Sequence, residues 1–132
     1  MRHLVVAALL AVSATCQKQD PVEAQSPIQE INAAVVGDQL PADGCGAHLW
    51  LSVTSASSDS RTFMRLPTEA TRPLMDDVIK TEVARQPTGQ LWMGRKDVTI
   101  RYRETGQTAT LLCGWNAKQE LKTIELLDIK AR

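Results

Sequence analysis

The stretch Asp43–Val53, DGCGAHLWLSV, contains a turn, a cysteine and an alternating segment in direct succession. The Asp-Gly pair at its start favours a tight turn, because glycine readily adopts a positive φ. Apolar and other residues then alternate over 47–53, which is the period of a β-strand that buries one face. The two predicted faces are Leu49, Leu51 and Val53 on the buried side, and His48, Trp50 and Ser52 on the other.

Other short segments of strand character lie on both sides of this stretch. Their alternation and the turn residues between them predict strands over 28–36, 61–66, 98–103, 108–115 and 121–129, with a turn at 105–107. A helix is predicted over 71–86, because apolar residues recur there at helical spacing, Thr71 can cap it and Pro73 suits its first turn. The sequence therefore predicts a mainly β fold, a small antiparallel sandwich or barrel with one short helix.

The composition is that of one globular domain. A chain of 132 residues, 43% hydrophobic and 23% charged, is long enough for a single domain and too apolar for wholesale disorder. Lys and Arg total 15, and Asp and Glu also total 15. This balance excludes a general electrostatic attraction to nucleic acid, so we expect no nucleic-acid partner.

An export signal is predicted at the N-terminus. Arg2 gives a positive start, Leu4–Val12 is an uninterrupted apolar run, and small residues follow over 13–15. This order is typical of a bacterial signal peptide, here 1–15. A buried N-terminal helix of the domain is the alternative, which the apolar character of the segment on every face disfavours.

Cys16 follows this segment directly and resembles the lipidated cysteine of the lipobox in bacterial lipoproteins. The resemblance covers Met1 to about Gln17, and it implies that Cys16 carries a diacylglycerol and becomes the first residue of the mature chain. In that family, Gln17 rather than Asp after the cysteine implies the outer membrane. Cleavage after Ala14 is the alternative, and it would give a periplasmic or secreted protein.

The remaining chain divides into a tether and a domain. Residues 16–27 are polar, contain two prolines and show no apolar periodicity, so they predict an extended, lipidated tether. Residues 28–132 are predicted to form a single β-rich domain. Its order of Asp-Gly-Cys, Leu-Pro, an alternating Val-x-Ile-x-Tyr strand, Cys-Gly and a final apolar strand is loosely similar to that of small uncharacterised bacterial lipoproteins. That similarity implies no activity.

The cysteine count predicts one disulfide. The chain has three cysteines, and acylation of Cys16 would leave Cys45 and Cys113 as a pair. Each of the two precedes a glycine at a predicted strand edge. In an exported protein such a pair is expected to be oxidised.

The candidate chemistry of the domain is sparse. Cys45 and His48 have Cys-x-x-His spacing, and Cys113 could join them in a zinc or copper site. His48 is the only histidine after the predicted signal peptide, so such a metal site would lack a further ligand. Cysteines oxidised to a disulfide could not act as nucleophiles. We therefore expect no metal, no cofactor and no catalytic residue.

The candidate binding surface consists of Trp50, Trp115, Arg101 and Arg103. Exposed tryptophans could bind a glycan or an envelope protein, or they could pack over the disulfide as core. Arg101 and Arg103 share one strand face. They could form an anion-binding strip, or they could form a solvated edge that blocks strand pairing.

The sequence thus favours a lipid-anchored cell-envelope protein with a non-catalytic binding or structural β domain. A small exported enzyme or metal-handling protein that uses His48 with Cys45 and Cys113 is one alternative. An inhibitor or immunity-type partner of another exported protein is the other.

Overall fold

A computed structural model of the protein describes residues 25–54 and 60–132. The predicted signal peptide, Cys16 and most of the predicted tether lie outside these ranges. A short 3₁₀ helix, Leu40–Ala42, follows the first strand. The main elements are β1 (Gln29–Val36), β2 (His48–Thr54), β3 (Ser60–Pro67), α1 (Arg72–Ala84), β4 (Arg95–Leu112) and β5 (Lys118–Ala131).

The five strands form a closed barrel in the order β1-β2-β3-β5-β4, and β4 pairs with β1 to close it. All neighbours are antiparallel except β3 and β5, which run parallel. A five-stranded barrel with this order, and with a helix between β3 and β4, has the topology of the OB-fold. The prediction of a mainly β fold with one helix is confirmed, as a barrel.

The barrel core is formed by the alternating apolar positions of the strands. Leu49 and Leu51 of β2 are fully buried, as predicted from their alternation. His48, predicted on the opposite face, is also buried, whereas Val53, predicted on the face of Leu49 and Leu51, is 37% exposed. The fully buried Met75 of α1 packs into the same core.

Thr71 lies at the start of α1, but its side chain makes no capping hydrogen bond to the helix. Its Oγ1 instead accepts a hydrogen bond from the backbone N–H of Leu126, at 3.1 Å. A second hydrogen bond joins its Oγ1 to that of Thr68, at 2.8 Å. Thr71 therefore fixes the start of the helix to β5.

The turn predicted at 105–107 is wrong. β4 continues through this region, and its pairing with β5 shifts register between Glu104 and Thr108. Gly106 has a φ of 73°, which a bulge can require as much as a turn. The strand predicted over 108–115 is therefore the second half of β4, and the chain reverses only after Leu112, where Trp115 and Asn116 adopt positive φ.

The far end of the β4–β5 hairpin is fixed to the loop between β1 and β2. The predicted disulfide between Cys45 and Cys113 is present. The backbone N–H of Gly46 donates to the carbonyl of Leu112 at 2.9 Å, and that of Gly114 donates to the carbonyl of Gly44 at 2.7 Å. The loop and the hairpin tip thus form one joined unit at this end of the barrel.

We expect loss of the disulfide to destabilise the domain strongly. The bond closes a loop with a sequence separation of 68, for which the loop-entropy estimate is about 4 kcal/mol. Cys45→Ser and Cys113→Ser should each lower the melting temperature by more than about 10 °C, measured by calorimetry under non-reducing conditions. The double variant controls for the single free thiol, and a melting temperature equal to that of the parent would contradict the prediction.

Candidate functional site

A groove lies on the outside of the barrel beside the disulfide. Its volume is about 420 Å³, within the range of small-ligand sites. The walls come from the β1–β2 loop, from the outer faces of β2 and β3 and from the start of β4. We call it the Trp50 groove, and it is lined by Val36, Gln39, Gly44, Cys45, His48, Trp50, Met64 and Arg95.

His48 is buried at the back of this groove, and both of its ring nitrogens are engaged. Nδ1 lies 2.7 Å from the carbonyl oxygen of Gly46, to which it donates. Nε2 accepts a hydrogen bond from Nε1–H of Trp50, also at 2.7 Å. This pattern requires the neutral imidazole with its proton on Nδ1. Burial lowers the pKa of His48, and the Gly46 carbonyl opposes that effect in part.

Trp50 lines the groove, and the guanidinium of Arg95 lies over its ring. Its single polar atom is already bonded to His48, so the indole offers the ligand an apolar surface of fixed orientation. The residue is 36% exposed, and its cross-strand partner Met64 also lines the groove. A tryptophan held in this way is a preorganised platform, because little side-chain entropy is lost when a ligand packs on it.

The position of Trp50 depends on contacts that begin at the disulfide. Cys45 is bonded to Cys113, and the next residue, Gly46, donates its N–H to the hairpin. The carbonyl of Gly46 then fixes His48, and His48 fixes the indole of Trp50. A displacement of the β1–β2 loop would therefore move the platform.

Arg95 is the only charged side chain among the described residues that line the groove. Its guanidinium carbon lies 5.7 Å from the centre of the Trp50 ring, within the range of a cation–π contact. Its Nε lies 3.5 Å from Oδ1 of Asp97, and both side chains are at least half exposed. Such an exposed ion pair contributes little to stability, so Arg95 remains accessible to a ligand.

A smaller cavity of about 170 Å³ continues from the groove along β2 and β3. Trp50 and Met64 line both cavities, and Thr62 and Phe63 line only the smaller one. Ser52 lies opposite Thr62 in the β2–β3 ladder, on the same strand face as Trp50. The two cavities therefore lie next to each other on this side of the barrel, with Trp50 and Met64 in the lining of both.

The other residues of the predicted binding surface lie outside the groove. Trp115 is 90% exposed at the hairpin tip, so it does not pack over the disulfide as core. Each of the two arginines has a carboxylate partner outside the groove: Nε of Arg101 lies 3.9 Å from Oε2 of Glu30, and Nη1 of Arg103 lies 3.8 Å from Oε2 of Glu125. The structure thus brings Trp50 and His48 together, but it does not bring Trp115 or the two arginines to them.

Arg95 and Gln39 line the groove but are not predicted from the sequence as site residues. Arg95 reaches the groove because it lies opposite Val36 in the β1–β4 pairing, a long-range contact that no local pattern contains. Gln39 is held in the loop, where its Nε2 donates to the carbonyl of Met93 at 3.0 Å. For this side of the groove the sequence offers one signal, the charged Arg95 directly after Gly94 at the start of β4.

The groove offers no evident metal ligands. Cys45 and Cys113 are bonded to each other, and both nitrogens of His48 are engaged. Within 25–54 and 60–132, no group of three or more His, Cys, Asp or Glu residues is placed to hold a metal ion.

Comparisons with protein-family models, with curated proteins and with solved structures found no match to this chain.

We expect the domain to lose stability as the pH falls through the range in which His48 of the unfolded chain becomes protonated. Burial lowers the pKa of His48 in the folded state, whereas in the unfolded chain it is near 6.5. The contribution of the neutral imidazole is therefore complete above the unfolded pKa, and it is lost as the pH falls below it.

Chemical denaturation between pH 8 and pH 5 measures this effect. The free energy of unfolding should fall more steeply for the parent protein than for His48→Gln, which has no titrating group at this position. Equal slopes in the two proteins would contradict the prediction.

Proposed function

We propose that this protein is a lipid-anchored cell-envelope protein whose barrel binds carbohydrate in the Trp50 groove without catalysis. The observation that carries the proposal is the exposed indole of Trp50, which His48 holds in one orientation. Pyranose rings have faces of C–H groups, and these pack well against a flat aromatic surface. A largely apolar groove with a few polar groups at its rim is also the usual form of a small-ligand site.

The place of the groove on the barrel supports this function by analogy. OB-folds bind oligonucleotides and oligosaccharides on the face of their second and third strands, between the β1–β2 and β4–β5 loops. The Trp50 groove uses the same face, and here a disulfide joins those two loops. The balanced charge of the chain disfavours nucleic acid, which leaves carbohydrate as the better ligand class. Fold alone does not assign a ligand, so the proposal depends on Trp50.

The geometry of β1 is compatible with an N-terminal lipid anchor. β1 begins at Gln29, next to the predicted tether, and ends at Val36 in the wall of the groove. These residues are separated by about 23 Å along the strand. A domain tethered through its N-terminus can therefore present the groove on the side away from the membrane. In the described part of the chain, no helix is long and apolar enough to cross a bilayer.

A protein partner, as in the inhibitor alternative, would use a different surface. Trp115 and Leu112 are exposed at the hairpin tip, at 90% and 51%. Trp115 also has a φ of 59°, which is unusual for a bulky side chain and is often found at functional positions. This surface is the specific observation that favours the inhibitor alternative.

Binding of the full-length protein to immobilised envelope polysaccharides tests the carbohydrate function. Trp50→Ala should weaken binding at least about tenfold, in line with the loss of an aromatic stacking contact. Trp115→Ala is the matched control, and it should leave binding unchanged. Absence of glycan binding, or equal loss in both variants, would refute the carbohydrate function. Capture of an exported protein that depends on Trp115 and not on Trp50 would favour the inhibitor alternative.

Intact mass spectrometry of the membrane-extracted protein tests the anchor. We expect a chain that begins at Cys16, carries the added mass of acyl groups and lacks the two hydrogens lost in one disulfide. An unmodified chain that begins at Thr15 would instead assign cleavage after Ala14 and a periplasmic or secreted protein.

A further inference from the structure

The charge of the Trp50 groove comes from one residue. Arg95 is half exposed and is the only charged side chain among the described residues that line the groove. His48 is held as the neutral imidazole by its two hydrogen bonds. The amide nitrogen of Gln39 is bonded to the carbonyl of Met93. A ligand with an apolar face and one negative charge beside it would complement this surface.

The distance between Arg95 and Trp50 narrows the class of ligand. The guanidinium carbon is 5.7 Å from the centre of the indole ring, so one compact ligand unit can contact both. In a uronic acid the carboxylate is attached directly to the sugar ring. Such a unit can pack on the indole while its carboxylate accepts charge-assisted hydrogen bonds from Arg95.

The second cavity offers space beside the groove for further ligand units. It shares Trp50 and Met64 with the groove and continues along β2 and β3. Past Trp50, Thr62 and its cross-strand partner Ser52 add hydroxyl groups to this strand face. These groups can exchange hydrogen bonds with the hydroxyls of neighbouring sugar units.

We infer that the groove binds a linear acidic glycan, with a uronate unit on Trp50 and Arg95 and with adjoining units along β2 and β3. This inference rests on the proposed carbohydrate-binding function. A nucleic acid has a phosphate at every unit, and tight binding would need a series of cations; the described lining of the groove has one. The spacing of one cation and one aromatic ring suits a single carboxylate beside a sugar face.

Titration calorimetry on the full-length protein at low ionic strength tests the charge. The ligands are oligosaccharides of galacturonate, oligosaccharides of mannuronate, and oligosaccharides in which glucuronate alternates with a neutral sugar. Each is compared with its carboxyl-reduced counterpart. We expect at least one acidic oligosaccharide to bind about tenfold more tightly than its reduced form, which is the gain of one charge-assisted contact. Higher salt should reduce this difference.

Three variants locate the contact. Arg95→Gln should remove the difference in affinity between the acidic and the reduced form. Asp97→Asn should tighten binding of the acidic form, because Asp97 no longer competes for the guanidinium. Arg101→Gln is the matched control: Arg101 lies on the same strand but pairs with Glu30, so its loss should change neither affinity. Thermal melts confirm that each variant is folded.

The outcomes separate this inference from the function on which it rests. Equal affinity for acidic and reduced oligosaccharides, with loss of both in Trp50→Ala, overturns the acidic ligand and keeps carbohydrate binding. Equal affinity for a monomeric uronate and a trimer overturns the linear chain. Tighter, Arg95-dependent binding of a peptide carboxylate or of an oligonucleotide overturns the inference as well. If the parent protein binds no oligosaccharide, the proposed function fails.

Discussion

The bond between Cys45 and Cys113 is the constraint on which the geometry of the Trp50 groove depends. It joins two loops that are far apart in sequence and that otherwise meet through a few backbone hydrogen bonds. From that bond, Gly46 and His48 transmit a fixed geometry to Trp50. Loops are commonly the most mobile parts of a small barrel, and here the loop that forms the groove is covalently restrained. Stability and binding geometry are therefore provided by the same bond.

His48 shows how a buried polar group can support a site without reacting in it. Burying an imidazole costs free energy unless its nitrogens find partners. Gly46 and Trp50 provide those partners, one as acceptor and one as donor. The arrangement makes His48 a positioning residue for the indole, although a lone histidine near two cysteines first suggests metal chemistry. Only the hydrogen-bond partners distinguish these two roles.

Local sequence patterns predicted the parts of the fold that depend on local physics. The burial of Leu49 and Leu51 in β2 followed from alternation, although Val53 is exposed and His48 is buried, and α1 followed from helical spacing. The sequence around Gly106 predicts a turn where the structure has a bulge, because a positive φ occurs in both structures. The contact of Arg95 with Trp50 could not be predicted, since it requires the pairing of β4 with β1. The sequence therefore predicted only one side of the candidate site. The shared strand face of His48 and Trp50 on β2 could be predicted, but the position of Arg95 depends on the closure of the barrel.

Closure of the barrel also has a mechanical consequence. The predicted tether leads into β1, which pairs with β2 on one side and β4 on the other. If a ligand is held in the groove while the lipid stays in the membrane, tension enters β1 along its length. Force in that direction shears many hydrogen bonds at once and does not peel them apart one by one. If the proposed anchor and the proposed ligand are both present, β1 connects them and resists pulling along its length.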